Sequence, residues 1–282
     1  MTVIEIDRVT YSYPDSPGPA LRDLSARVRA GEFVAVMGAS GSGKSTLLRL
    51  LNGIVPRMSG GRMEGRVIVL GCDTRTRSVA WLAQKVGMVL QDPDVQLFTD
   101  NVFSEVAFGP ENLGWNPEEI VESASWALRV VGLEDLRDRA PSGLSGGQKQ
   151  RLTIAAALAT KPSILVLDEP TSQIDSAGSD SIFEVISSLQ RQNGLTVVVA
   201  TNDVERVAEC ADKVIVLDRG RVAGEGAPAD VFSDRKIASA VGRPQTLRLV
   251  QALSARGLPL EGSPVRYAEC VEALSRLLRG GT

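Results

Sequence analysis

The sequence contains no histidine. No imidazole is therefore available to carry a proton near neutral pH. Cysteine is scarce. Cys72, Cys210 and Cys270 are widely spaced and match no metal or disulfide framework, which points to a reducing compartment. No apolar run approaches the ~20 residues that a membrane span needs. The N-terminus lacks the basic-then-apolar pattern of a secretory leader. Any membrane role is expected to pass through another chain. Net charge is only −3 over 282 residues, so bulk electrostatics give no reason to expect nucleic acid or anionic lipid as a partner. What is present is an ordinary globular composition, 43% apolar and 23% charged. The length suits one large domain, or one domain and a small appendage.

The rest of the chain is organised around Gly38-Ala39-Ser40-Gly41-Ser42-Gly43-Lys44-Ser45-Thr46. An apolar run, Phe33–Met37, precedes it and a helical pattern, Thr46–Asn52, follows. This is a P-loop, G-x-x-x-x-G-K-[ST], in its strand–loop–helix context. Gly38, Gly41 and Gly43 let the backbone curl so that several N–H groups point at one spot. The helix beginning there adds its positive end. Lys44 supplies a cation for β- and γ-phosphates, and the Ser45 hydroxyl is a ligand for Mg²⁺.

Upstream, residues 2–9 and Leu21–Val28 read as strands on either side of a Pro/Gly-rich loop, Pro14–Pro19. Tyr13 stands just before that loop. An aromatic ring there can stack on an adenine face or pack on a neighbouring strand residue, and residue type alone favours packing. Residues 53–64 read as loop, and Arg66–Leu70 and Val86–Leu90 as strands. Gln91 ends the second, where ligands collect in α/β sheets, although a glutamine also simply caps strands. Residues 92–160 change to helical pattern. Asn116-Pro117-Glu118-Glu119 is a helix start with Asn as N-cap, Pro at N1 and Glu at N3, and that helix stops at Gly132. Leu144-Ser145-Gly146-Gly147-Gln148 opens a longer helix through Ala159. On spacing alone it is a plain helix cap, although it is also a second anion-binding helix end.

Ile164–Leu167 is a continuous apolar strand ending in Asp168 and Glu169. Such a run implies burial on both faces, as in a parallel sheet. Paired acids at its end suit a metal-shell carboxylate, Asp168, and a general base, Glu169. A short loop to Asp175 and a helix to about Gln192 follow. Leu195–Ala200 is another apolar strand, ending at Thr201-Asn202-Asp203. A late hairpin turns at Asp218–Gly220. The pattern weakens after Asp230. Residues 264–279 form an amphipathic helix whose Tyr267, Val271, Leu274 and Leu278 share a face, expected to pack on its own domain, with a dimerising appendage as the other use.

Together these motifs resemble the nucleotide-binding subunit of ABC transporters over about residues 2–232. The P-loop and the Asp168-Glu169 strand alone indicate a P-loop NTPase, and the Leu144–Gln148 motif between them is specific to the ABC class. Within that class, the segments Gln91–Thr99 and Val106–Gly114 resemble the energy-coupling factor (ECF) type, which drives uptake of vitamins and transition metals. The resemblance implies an α/β P-loop core with an N-terminal antiparallel β subdomain, a helical subdomain at about 92–160, and a helical extension over 233–282. It implies ATP and Mg²⁺ as cofactors, Tyr13 as adenine-stacking ring, and Gln91 as a sensor of Mg²⁺ and water. Ser45, Gln91 and Asp168 become the metal ligands. Ser145, Gly146, Gly147 and Gln148 become the motif that closes on the γ-phosphate held by the opposite subunit, and Asp175 matches the D-loop aspartate. The implied partners are a second ATP-binding subunit, a transmembrane coupling protein and a separate membrane substrate-binding protein, with the chain peripheral on the cytoplasmic face of the membrane and no nucleic acid involved.

One position departs from the family pattern. A histidine is expected after the Leu195–Ala200 strand, and this chain has Asn202. Asparagine donates a hydrogen bond but carries neither a proton nor a positive charge near neutral pH. The expectation is a Mg-ATP-binding subunit that hydrolyses more slowly than a histidine-bearing relative. Two alternatives stand beside it: a soluble ABC ATPase not coupled to transport, which usually has two motif sets or a long insertion, and a non-hydrolytic regulatory subunit.

Overall fold

The computed structural model describes residues 1–172, 174, 176–260, 262 and 264–280. Two sheets organise them. The first is antiparallel, in the order β2-β1-β4-β5. It contains β1 (Thr2–Ser12), β2 (Leu21–Arg29), β4 (Arg62–Val69) and β5 (Cys72–Asp73). The second has the order β10-β9-β3-β8-β7-β6. Its strands are β3 (Phe33–Met37), β6 (Val86–Val89), β7 (Ile164–Asp168), β8 (Thr196–Ala200), β9 (Lys213–Asp218) and β10 (Arg221–Gly226). All its pairings are parallel except the β9–β10 hairpin at one edge.

The sequence reading placed loop over residues 53–64, but β4 already begins at Arg62. The cause is a bulge. The β1–β4 register slips between Asp7 and Thr10, and Gly65 (φ 78°) faces it; a Cβ on Gly65 would lie 2.4 Å from the Arg8 carbonyl oxygen. The slip interrupts the two-residue alternation by which strands are recognised.

The helices begin with α1 (Lys44–Leu51), the short α2 (Ile54–Arg57) and α3 (Val79–Ala83). The helical subdomain contains α4 (Val102–Asn112), α5 (Pro117–Val130) and α6 (Gly146–Ala159). Both expected helix starts carry capping boxes, Asn116 with Glu119 and Ser145 with Gln148. After β7 and β8 come α7 (Ser176–Asn193) and α8 (Val204–Cys210).

Where the pattern weakens, four helices follow: α9 (Pro228–Ser233), α10 (Arg235–Val241), α11 (Gln245–Ser254) and α12 (Tyr267–Gly280). The first two are six and seven residues long, too short for a 3.6-residue period to emerge.

Burial explains the layering. On β3, Phe33, Ala35 and Met37 join a core with the helical subdomain, α7 and α8, while Val34 and Val36 join a second core with α1 and the antiparallel sheet. This is the two-sided burial expected of a parallel strand. Leu247 of the extension and Val265 belong to the first core.

The face foreseen for the last helix is corrected. Tyr267 is 70% and Leu278 76% exposed, and Val271 is exposed too, so these three do not pack on their own domain, and only Leu274 of the expected stripe is partly covered. The helix instead covers Cys270, Ala273, Leu274 and Leu277, a stripe rotated by one residue. Its first turn is pinned by the Glu209 carboxylate, which accepts the Tyr267 N–H, and this sets which side faces inward.

Candidate nucleotide site

Three parallel strands end level with one another. Val36 pairs with Ala200, and Ala200 with Asp168. The P-loop leaves β3, Asp168-Glu169 leaves β7 and Thr201-Asn202 leaves β8, so all three meet beyond the carboxyl ends of the sheet, where open α/β folds bind ligands. The junctions are hydrogen-bonded: Glu169 N–H donates to the Ala200 carbonyl at 2.8 Å and Thr201 N–H to the Val36 carbonyl at 3.1 Å.

Glycine is required at two points of the P-loop. Gly38 has φ 142°, and a Cβ there would meet the Leu217 carbonyl oxygen at 2.3 Å. Gly43 has φ 109° and leaves 2.9 Å to the Ala20 carbonyl oxygen. Ala39, Ser40 and Gly41 form the exposed crest, and Ser42 is buried beneath it. Lys44 and Ser45 lie in the first turn of α1, which begins two residues earlier than the helical pattern alone suggested. Lys44 Nζ donates to the Gly38 carbonyl at 2.7 Å and the Ala39 carbonyl at 3.4 Å. Ser45 Oγ donates to Asp168 Oδ1 at 3.0 Å. Thr46 Oγ1 and the Tyr13 hydroxyl are 3.2 Å apart, which holds the tyrosine ring beside the loop. Tyr13 also packs edge-on against Tyr11, with centroids 4.8 Å apart, so its position has the structural support of a strand-end ring as well.

Glu169 is the electrostatic centre. Its backbone is left-handed (φ 45°), an uncommon conformation for a side-chain-bearing residue, and it turns the chain out of β7. Its carboxylate lies 3.5 Å from Lys44 Nζ and accepts a 2.9 Å hydrogen bond from Asn202 Nδ2. Burial pushes the Glu169 carboxyl above the usual carboxylate range. The Lys44 charge and hydrogen bond oppose that rise, Asp168 adds to it, and the Asn202 backbone N–H opposes it again. A carboxylate in this state is a stronger proton acceptor than a surface glutamate.

A cavity of about 380 Å³ opens over these groups, lined by Ser40, Lys44, Ser45, Gln91, Glu169 and Asn202 among others. Gln91 is exposed at its wall. A wider cleft, about 600 Å³, lies at the amino ends of the strands against Trp126, Lys161 and Thr196. The smaller cavity is the better phosphate site because convergent amides and a buried cation matter there more than volume.

The remaining expected residues lie elsewhere. Ser145 Oγ accepts the Gln148 N–H at 3.3 Å, and Gln148 Oε1 accepts the Ser145 N–H at 2.9 Å. Neither they nor Gly146 and Gly147 line the P-loop cavity of their own chain. Asp175 falls outside the described residues. Ser172 and Ala20 do line the cavity and were not foreseen. Ser172 reaches it because its N–H donates to the Glu169 carbonyl at 3.2 Å, a turn that only the left-handed Glu169 reveals.

The donor set fits a magnesium ion. Ser45 offers a hydroxyl, Gln91 an amide oxygen and the 3%-exposed Asp168 a carboxylate, all hard oxygen donors. Among the described residues no group of three His, Cys, Asp or Glu could hold a metal alone. That combination suits an ion that keeps water and phosphate oxygens as its other ligands.

Comparison with known proteins agrees with this geometry. The ABC transporter family model matches residues 21–172. An energy-coupling factor transporter ATP-binding protein of Symbiobacterium thermophilum is 42% identical, with 97% of each chain covered. The solved structure of cbiO1 from Clostridium perfringens, part of the ABC transporter complex cbiONQ, is 32% identical with a TM-score of 0.76, covering 90% of this chain and 95% of that one. A dimeric ATP-binding cassette in a post-hydrolysis state, bound to ADP and Pi, is 30% identical with a TM-score of 0.69, covering 80% of this chain and 98% of that one. With P-loop, buried acid and strand order all in place, the chain belongs to the ABC transporter family, as one of its ATP-hydrolysing cassettes.

Proposed function

We propose that this chain is the ATP-binding and ATP-hydrolysing subunit of an ECF-type importer for a vitamin or transition-metal ion, working as a dimer with two ATPs at the shared interface. The observation that carries the reading is the Lys44–Glu169–Asn202 cluster set against the P-loop. In this reading residues 1–232 are the ATP-binding domain, with a helical subdomain at about 92–160, and 233–282 are its extension. The loop amides and Lys44 hold the phosphates, and Tyr13 lies against the adenine. Ser45, Gln91 and Asp168 hold Mg²⁺, which supplies charge neutralisation on the phosphates. Glu169 takes the proton of the attacking water. Ser145, Gly146, Gly147 and Gln148 act on the nucleotide of a second copy or paralogue, and Asp175 serves the same seam. The position of the Ser145 cap, outside its own chain's cavity, supports a two-chain site.

The membrane partner is supported by an exposed apolar patch next to Gln91. Val95, Phe98 and Phe108 are exposed, and the two phenylalanine rings meet edge-on with centroids 4.7 Å apart. Such a patch suits a helix of a transmembrane coupling protein. Lys149 of α6 donates to Asp94 at 2.6 Å, linking this segment to the helix that Ser145 caps. Among the described residues no helix is long and apolar enough to cross a membrane; in this reading the chain is a peripheral subunit on the cytoplasmic face. A separate membrane protein would bind the transported substrate.

Asn202 in place of histidine makes hydrolysis slow, because it holds Glu169 without adding charge or proton exchange. Two experiments test the reading. Asn202→His should raise the turnover of the full-length chain by roughly tenfold or more; equal rates would remove the argument from Asn202. Phe98→Asp should abolish co-purification with membrane proteins while leaving ATP binding intact, and retained co-purification would remove the patch as the docking site.

A further inference from the structure

The C-terminal extension is fastened to the segment that carries Asn202. α8 begins two residues after Asn202, and its Glu205 and Glu209, four residues apart, lie on one face. Glu205 accepts the N–H of Gln245, the first residue of α11, at 3.0 and 3.2 Å to its two oxygens. Glu209 accepts the N–H of Tyr267, the first residue of α12, at 2.5 Å. First-turn amides lack a partner within their own helix and carry the positive end of its dipole. α11 has no side-chain cap of its own, since Pro244 precedes it, so Glu205 supplies one from another helix.

Further contacts stiffen this join. Thr246 Oγ1 donates to the Val265 carbonyl at 2.7 Å, tying the two helix starts together. Gly242, just before α11, packs so close to Val204 that a Cβ would stand 3.2 Å from its Cγ2. At the start of α8, Asp203 Oδ1 accepts the Arg206 N–H at 3.1 Å, and Asp203 N–H donates to Thr201 Oγ1 at 3.1 Å. Thr201 is itself hydrogen-bonded to Val36 at the end of β3. Asn202 is thus held between a fixed strand end and a helix whose acidic face is occupied by the extension. An Arg206–Asp180 ion pair also ties α8 to α7.

We propose that Glu205 and Glu209 are positioning residues for ATP hydrolysis: by capping α11 and α12 they couple the C-terminal extension to α8, and through it they set the Asn202 amide on Glu169. The proposal rests on the reading of Glu169 and Asn202 as the hydrolytic pair. The extension is then a control element for turnover, and a partner that lifts α11 or α12 slows hydrolysis without touching the nucleotide.

The test uses the full-length chain with Mg-ATP and the double variant Glu205→Ala/Glu209→Ala. Three readouts are followed: kcat, affinity for a fluorescent ATP analogue, and hydrogen exchange over residues 201–210 and 245–270. The expected result is a roughly fivefold fall in kcat with nucleotide affinity unchanged, and faster exchange in both segments. In the Asn202→Ala background the same pair should have no further effect on kcat, because the route has already been cut. Glu205→Gln/Glu209→Gln keeps an acceptor oxygen at both caps and should stay within about twofold of the parent. Should the alanine pair be unstable, either single variant, with the other helix still held, should move kcat in the same direction. Faster exchange in the extension with unchanged kcat would overturn the proposal and leave α8 fixed by Arg206–Asp180 instead. An equal fall in kcat with and without Asn202 would overturn it too. Glu169→Gln, run alongside, separates the two levels: retained turnover there removes the hydrolytic reading itself.

Discussion

The carboxyl ends of β3, β7 and β8 and the outer face of α12 both carry apolar residues, and the molecule treats them differently. At the strand ends the apolar runs are buried on both faces, and their register brings Lys44, Asp168, Glu169 and Asn202 to one place. On α12, Tyr267, Val271 and Leu278 face outward. A continuous strand run has no side to leave in water, so burial is forced. A helix has several candidate stripes, and the one that turns inward is decided by how its first turn is held, here by Glu209.

Four outcomes would break or sharpen this contrast. Glu169→Gln should lower ATP turnover by about 100-fold or more while nucleotide affinity is kept, because it removes the proton acceptor but not the phosphate cradle. Leu165→Ala, at a fully buried position of β7, should destabilise the fold by about 2–5 kcal/mol in denaturant unfolding. A loss below that range would mean the parallel core tolerates a cavity there.

Asn202→Ala should move the acid limb of the kcat–pH profile to higher pH. The sign follows from Glu169: the Asn202 side-chain amide donates to its carboxylate at 2.9 Å and favours the charged form, so losing that bond adds to the rise that burial already causes. Its single proton then leaves only at higher pH, and a shift of the limb to lower pH would contradict the assignment. Leu278→Ser, on the outward face of α12, should change stability by no more than about 0.5 kcal/mol in the isolated chain. A large loss would show that the stripe is packed after all.

The same contrast explains how far the sequence could be read. The P-loop was legible because its chemistry is local: nine consecutive residues hold both the glycines and the cation. β7 was legible from an uninterrupted run, and α5 and α6 from caps spelled out within four residues. The site's assembly was less so. Nothing near Lys44 indicates that its ammonium meets Glu169, 125 positions later, since that contact depends on strand order and on the left-handed turn at Glu169. Ser172 entered the cavity by the same turn. β4 was shortened in the sequence reading because a bulge breaks its alternation, and the face of α12 was misassigned because its anchor lies on another helix.

The central claim is that two chains trap ATP between one P-loop and the other's Ser145-tipped helix. Light scattering on the full-length Glu169→Gln variant tests it most directly, with and without saturating Mg-ATP. The account predicts a shift with nucleotide to twice the single-chain mass of 30.0 kDa. A particle that binds Mg-ATP and remains at the single-chain mass, even with its membrane partners supplied, would contradict it.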